Sequence, residues 1–209
     1  MNAADIQIRR LMPADAALYR EIRLAGLKCD PAAFGSTFET ENAQPLTSFA
    51  ARLGSSAVFG AFDRCDLAGI AGFVIRRGAK EAHKGLLWGM YVRPHARKAG
   101  VGRKLVEAVI DFAREHVELL QLTVVSDNQR ARRLYASLGF VEYGIEKNSL
   151  KQDGRYFDEI LMAMDLVSDF GRNPIRMPNV GAALCAGIAP SPSSDAAMAP
   201  SDAAQAGRA

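Results

Sequence analysis

Cysteine is scarce in this chain of 209 residues: Cys29, Cys65 and Cys185 form an odd set with no CxxC pair. That excludes a disulfide framework and a cysteine-based zinc site, and it fits a reducing cytoplasm. Histidine is as rare. His83, His95 and His116 show neither HxxxH nor HExxH spacing, so no metal centre is expected. No apolar run approaches the roughly 18 residues of a membrane span. The first residues lack a basic stretch followed by an apolar one, so no secretory signal is expected. An excess of one charge is missing too, with 26 Lys and Arg against 23 Asp and Glu. Wholesale binding to a polyanion is therefore not expected, and any cationic site must be local. Hydrophobic residues make up 49% and charged residues 23%, values that exclude a wholly disordered or fibrous chain.

Composition shifts after Leu166. Residues 170–209 hold five of the nine prolines, and 24 of those 40 residues are Ala, Pro, Gly or Ser. They lack either period of regular structure, and the proline spacing prevents a long helix. The division expected is a domain over residues 1–168 and a disordered tail over 169–209. Within that tail only Val180–Ile188 is apolar enough to dock on a partner.

The domain alternates between strand and helix periods. Ile6–Leu11 alternates as a strand. A helical pattern runs from Pro13 to about Leu27, with proline well placed in its first turn, and Asp30–Pro31 ends it. Ala33–Glu41 reads as a loop, and Pro45 opens a short helix to about Leu53. Ala57–Phe62 and Leu67–Arg76 read as a hairpin, and Gly85–Val92 as a further strand. Val101–His116 is an amphipathic helix with Leu105, Val106, Val109, Ile110 and Ala113 in one stripe. Leu119–Val125 has the near-continuous apolar run of a strand buried on both faces. Asn128–Leu138 is a helix closed by Gly139, and Phe140–Glu146 and Tyr156–Leu166 are two more strands. The fold class expected is α/β: a mixed central sheet of about six or seven strands with helices on both faces. Gly85–Val125 should be a right-handed parallel crossover.

The loop after Gly85–Val92 reads Arg97-x-x-Gly100-x-Gly102 at the start of a helix. A helix N-terminus leaves backbone N–H groups unpaired and carries positive partial charge. Glycines let that backbone approach a ligand closely. Together they make a phosphate cradle, with Arg93, Arg97, Lys98, Arg103 and Lys104 adding cations. A Walker loop is absent, and a dinucleotide fingerprint fails because Leu105 stands at its third glycine position.

With these motifs in that order, the chain resembles the GNAT superfamily of acyl-CoA N-acyltransferases over about Ile6–Val167. The resemblance rests on the strand–cradle–helix at Leu86–Phe112. It also rests on Leu122–Gly144, with a strand, Asn128, a helix bearing Tyr135, and Gly139-Phe140. It implies acetyl-CoA as co-substrate and a primary amine of a small or amino-acid-like molecule as acceptor. A protein or peptide amine, or a non-catalytic acyl-CoA-binding module, are its alternatives. It further implies that the backbone of Met90, Tyr91 and Val92 pairs with the pantetheine arm. Arg97, Lys98, Ala99, Gly100, Val101 and Gly102 would wrap the pyrophosphate, with Arg103 and Lys104 near the adenosine phosphates. Asn128 would touch the pantetheine or the acceptor side, Tyr135 would face the thioester sulfur, and Phe34 and Glu39 would border the acceptor. Neither nucleic acid nor membrane is an expected partner, and a homodimer is left open.

The chemistry sets its own demands. An amine with a pKa near about 10.4 must lose a proton before it attacks. The oxyanion needs a fixed donor, which a strand N–H freed near Met90–Val92 can supply, and Gly89 inside that strand suggests a bulge there. The leaving thiolate, with a pKa of about 8.5, can take a proton from a neutral phenol, the role of Tyr135. Tyr135 would also suit a core position, and Asn128 a helix cap. No base stands out: Glu39, Glu41, Glu81, His83, Asp158 and Glu159 all read as solvated surface groups.

Overall fold

A computed structural model describes residues 6–167. The expected tail and its Val180–Ile188 segment lie outside the described residues. Among the described residues seven strands form one sheet: β1 (Ile6–Leu11), β2 (Ala57–Asp63), β3 (Asp66–Ile75), β4 (Lys84–Val92), β5 (Leu119–Val125), β6 (Val141–Gln152) and β7 (Arg155–Asp165). The helices are α1 (Ala16–Cys29), α2 (Phe38–Asn42), α3 (Leu46–Ser55), α4 (Val101–Arg114) and α5 (Gln129–Ser137). The spatial order is β1-β2-β3-β4-β5-β7-β6. Neighbours are antiparallel except β4 and β5, which run parallel. Parallel neighbours need a long crossover, and α4 is that crossover.

Each face of the sheet carries its own core. On one, the α4 stripe packs with Phe73, Leu120, Leu122, Tyr135 and Phe140. On the other, Tyr19 and Ile22 of α1 and Phe49 and Leu53 of α3 pack with Val58, Ile70 and Tyr91. α1 contacts β3 and β4, and α3 contacts β2, so this second layer covers the β2–β4 half of the sheet.

Three expectations need correction. The segment read as a loop over Ala33–Glu41 contains α2, because the Thr37 hydroxyl accepts from the Thr40 amide at 3.2 Å and caps a new helix. β5 is not buried on both faces: Thr123 is exposed, and Leu119 and Gln121 are half-buried. The second helical layer stops short of it. β6 runs to Gln152 rather than Glu146, with Val141, Tyr143 and Ile145 exposed. As an edge strand it pairs only with β7, so burial imposes no apolar alternation on its distal half.

Candidate active site

β4 breaks its ladder in two ways at one place. Toward β3, Tyr91 stands opposite Ile70 and Trp88 opposite Gly72, so Gly89 and Met90 together face Ala71. This is a bulge, and Gly89 takes a φ of +63°, which a side chain would strain. Toward β5, pairing covers only Lys84, Gly85 and Leu86. Beyond Leu86 the two parallel strands part, and Met90–Val92 has no strand partner on that side among the described residues.

α4 begins beside the gap. Gly100 is its N-cap, with a φ of +78°, and Lys98 is also left-handed at +69°. The turn between them lets the backbone curl before the helix starts. Arg97 holds that turn in place: its Nε donates to the Val92 carbonyl at 2.9 Å, and its Nη2 donates to the Asp30 carboxylate. Burial lowers the Arg97 pKa, but the Asp30 bond and charge more than offset this and the net shift is upward. The Arg97 side chain thus ties the loop to the end of α1.

A cleft of about 610 Å³ opens along the parted strands. Its walls include Met90, Tyr91, Val92, Arg97, Lys98, Gly100, Val101, Gly102, Arg103, Asn128 and Phe34, all singled out from sequence. Ala99 packs against the core instead. Lys104 does not line the cleft either, since its Nζ donates to the Ile6 carbonyl at 3.3 Å. Arg103 donates to the Ser137 hydroxyl at 2.7 Å and joins the N-terminal part of α4 to α5.

Asn128 is a helix cap at the cleft. Its side-chain oxygen accepts from the Ala131 amide at 3.1 Å, capping α5, and the residue lines the cleft. Tyr135 lies on the same helix but does not line the cleft; it is 5% exposed and meets Phe140 edge to face at 5.8 Å. Burial alone pushes its phenol pKa well above the ordinary value. The hydroxyl stays protonated across neutral pH, as a proton donor must.

The carboxylates divide differently from expectation. Glu39 is exposed on α2 and does not line the cleft. Asp158 holds Lys147 and the Asn148 amide, and Glu159 holds Ser149, all within the β6–β7 hairpin. Glu81 sits 3.7 Å from Lys84, on the surface. Glu41 is the exception, being 4% exposed rather than solvated. Its Oε1 accepts from Arg23 Nε and Nη2 at 3.1 and 2.8 Å, and its Oε2 from Arg52 Nη1 at 2.8 Å. Burial raises its pKa, but the bonds and charges of the two arginines outweigh burial and hold it below the usual range. Of the two carboxylates that line the cleft, Asp30 is bound to Arg97 and the Asp127 side chain is 76% exposed.

Arg23 itself escaped the sequence reading. The signal was there: it lies four residues from both Tyr19 and Leu27 on the buried stripe of α1, where an arginine is costly unless paired.

Residues 25–140 match the model of a family described as Acetyltransferase (GNAT) family. The chain belongs to that family. Over 82 residues it is 39% identical to the [Ribosomal protein bS18]-alanine N-acetyltransferase of Escherichia coli K12, covering 38% of this chain and 55% of that protein. The chain thus spans about half the length of the curated relatives it matches. The GNAT-family acetyltransferase structure from Streptococcus pneumoniae aligns with a TM-score of 0.69 at 24% identity, over 77% of this chain and 99% of that one. The yncA protein of Salmonella typhimurium, solved with its cofactor acetyl-CoA, aligns at 0.67 and 24%, over 81% and 99%. Both likenesses establish the fold.

Proposed function

We propose that the protein transfers the acetyl group of acetyl-CoA to a primary amine of a small, amino-acid-like molecule, by direct attack in a ternary complex. The observation that carries this reading is the parting of β4 from β5 beside the glycine-capped start of α4. Acetyl-CoA would supply an activated thioester for the amine to attack. The edge of β4 at Met90–Val92 that faces away from β3 has no strand partner among the described residues and is offered to an extended pantetheine arm, with the Val92 carbonyl taken by Arg97. The turn from Arg97 to Gly102, with Arg103, offers backbone amides and cations to a pyrophosphate. An N–H at the Gly89 bulge is placed to hold the developing oxyanion. Tyr135, kept neutral by burial, donates a proton to the departing sulfur. A cytoplasmic setting agrees with the few cysteines, and no described helix is long and apolar enough to cross a membrane.

One observation favours a second acceptor class, the N-terminal amine of a protein: the similarity to the bS18-alanine acetyltransferase. One assay separates the two. Thiol release from acetyl-CoA is followed with amino acids, simple amines and alanine-initiated peptides, and acetylated products are identified by mass. Turnover of small amines supports the first reading, turnover confined to peptides the second. No thiol release with any amine sinks both.

The cradle carries its own expectation. Gly100→Asp puts a side chain and a negative charge at a left-handed helix cap. It should weaken acetyl-CoA binding at least about tenfold, or about 1.4 kcal/mol. Calorimetry giving the wild-type dissociation constant in a folded variant would remove the cradle from the site.

A further inference from the structure

Four buried side-chain polar atoms have no hydrogen-bond partner among the described residues: Tyr19 Oη, Arg23 Nη1, Trp88 Nε1 and Arg76 Nε. Two of them flank the β4 bulge. Arg23 Nη1 faces it, since a methyl carbon on Gly89 would lie 3.6 Å from that nitrogen. Trp88 immediately precedes Gly89 and packs on the α1 side of the sheet. Tyr19, one turn before Arg23 on α1, belongs to the same core. Arg23 Nη1 and Trp88 Nε1 can only donate, so an acceptor-only ligand satisfies them.

Charge points the same way. Arg23 is 6% exposed, and its Nε and Nη2 are committed to Glu41. Glu41 is shared with Arg52, so one carboxylate balances two guanidinium groups and one positive charge is left over. The Nη1 edge of Arg23 is buried and donates to no acceptor, and an anion brought beside it recovers that desolvation cost. Phe34 stands between Arg23 and the cleft: its ring covers the guanidinium at 4.8 Å and also lines the cleft.

We infer that Arg23 Nη1 at the β4 bulge is a carboxylate-binding subsite, and that the acceptor is a free amino acid. This rests on the acetyltransferase reading above and narrows its acceptor class. With the carboxylate held at Arg23, the amine sits beside the Gly89 bulge, where the oxyanion donor of that reading lies. A peptide N-terminus carries no carboxylate next to its amine and leaves the guanidinium edge unpaired.

Trp88, next to the Gly89 bulge, is the one tryptophan of the chain, so its fluorescence reports on this region. The test titrates the wild-type protein, saturated with acetyl-CoA or desulfo-coenzyme A, with the common α-amino acids. Each is paired with its primary amide, at a pH where both amines are mostly free. At least one amino acid should bind about 10²-fold more tightly than its amide, the scale of a buried charge-assisted contact. Arg23→Lys keeps a charge for Glu41 but not the guanidinium edge, and should bring that ratio to within a few-fold. The double variant Arg23→Leu/Glu41→Leu removes both charges together and should do the same if lysine is not tolerated. Equal or undetectable binding of every acid and amide in the wild type overturns the subsite, as does a preference that survives in a folded Arg23 variant. Thiol release measured in parallel reports on acetyl transfer separately, so failure of the subsite and failure of the acetyltransferase reading give different results.

Discussion

Tyr135→Phe is expected to cut turnover by roughly 10²-fold or more, within the range of a positioned acid–base group. The change keeps the ring and its edge-to-face contact with Phe140 and removes only the phenolic proton. Acetyl-CoA affinity should stay near wild type, because only the transition state uses that proton. Burial raises the phenol pKa, so the wild-type rate should show no loss of the acid near pH 10, the ordinary ionisation point of tyrosine. The contrasting outcome has a structural basis as well. Tyr135 belongs to the core beneath α4 and does not line the cleft. Were that its whole role, the phenylalanine variant would melt slightly differently and turn over normally. Rate against pH for both forms, with a confirmed acceptor, decides between them. A Phe variant that keeps its rate across the range makes Tyr135 a packing residue and leaves the thiolate to depart unprotonated or to take its proton from water.

Glu41→Ala is expected to destabilise the fold by about 3–5 kcal/mol, the cost of removing one partner from a buried ion pair. The two arginines lose differently. Arg52 has 31% of its side chain exposed and can regain water, whereas Arg23 has 7% and cannot. Most of the loss therefore falls on Arg23. At 2–4 °C per kcal/mol for a domain of this size, melting should drop by roughly 10 °C. Changing both partners, as in Arg23→Leu/Glu41→Leu, removes the stranded charge and should recover much of the stability. The pH dependence follows from the sign of the Glu41 shift. Its folded pKa lies below its unfolded one, so the stabilisation is fully present above the unfolded value of about 4.3. It is lost as pH falls through the folded value. Denaturant midpoints for wild type and Glu41→Gln should converge on acidification. A difference unchanged from neutral to acid pH would show that the triad contributes through packing rather than charge.

Most of the cleft lining was legible in the order of residues. The turn from Arg97 to Gly102 is contiguous in sequence, and Gly100 announces a left-handed conformation that most other residues avoid. Gly89 announced the bulge for the same reason. Asn128 was legible both as cap and as cleft residue because the two roles use one position. The acceptor side was not legible in this way. Glu39 and Glu41 are two residues apart in one acidic stretch, and nothing in their neighbours separates the exposed one from the buried one. What separates them is α2, a helix of five residues capped by Thr37, which presents Glu41 to Arg23 and Arg52 across 18 and 11 residues of chain. Likewise Lys104 shares its cationic character with Arg103, yet reaches back 98 residues to the Ile6 carbonyl.

The sequence by itself determined the order of the strands and of every helix but α2, the parallel β4–α4–β5 crossover, the mixed sheet and the glycine turn before α4. Those follow from local periodicity and from glycines whose backbone needs are local. Only the tertiary structure decided where β4 leaves β5, how far each face of the sheet is covered, and which charged residues are buried. These depend on contacts between residues far apart in the chain. Burial then turns an unremarkable Arg–Glu–Arg set into a buried cluster with one positive charge in excess beside the bulge.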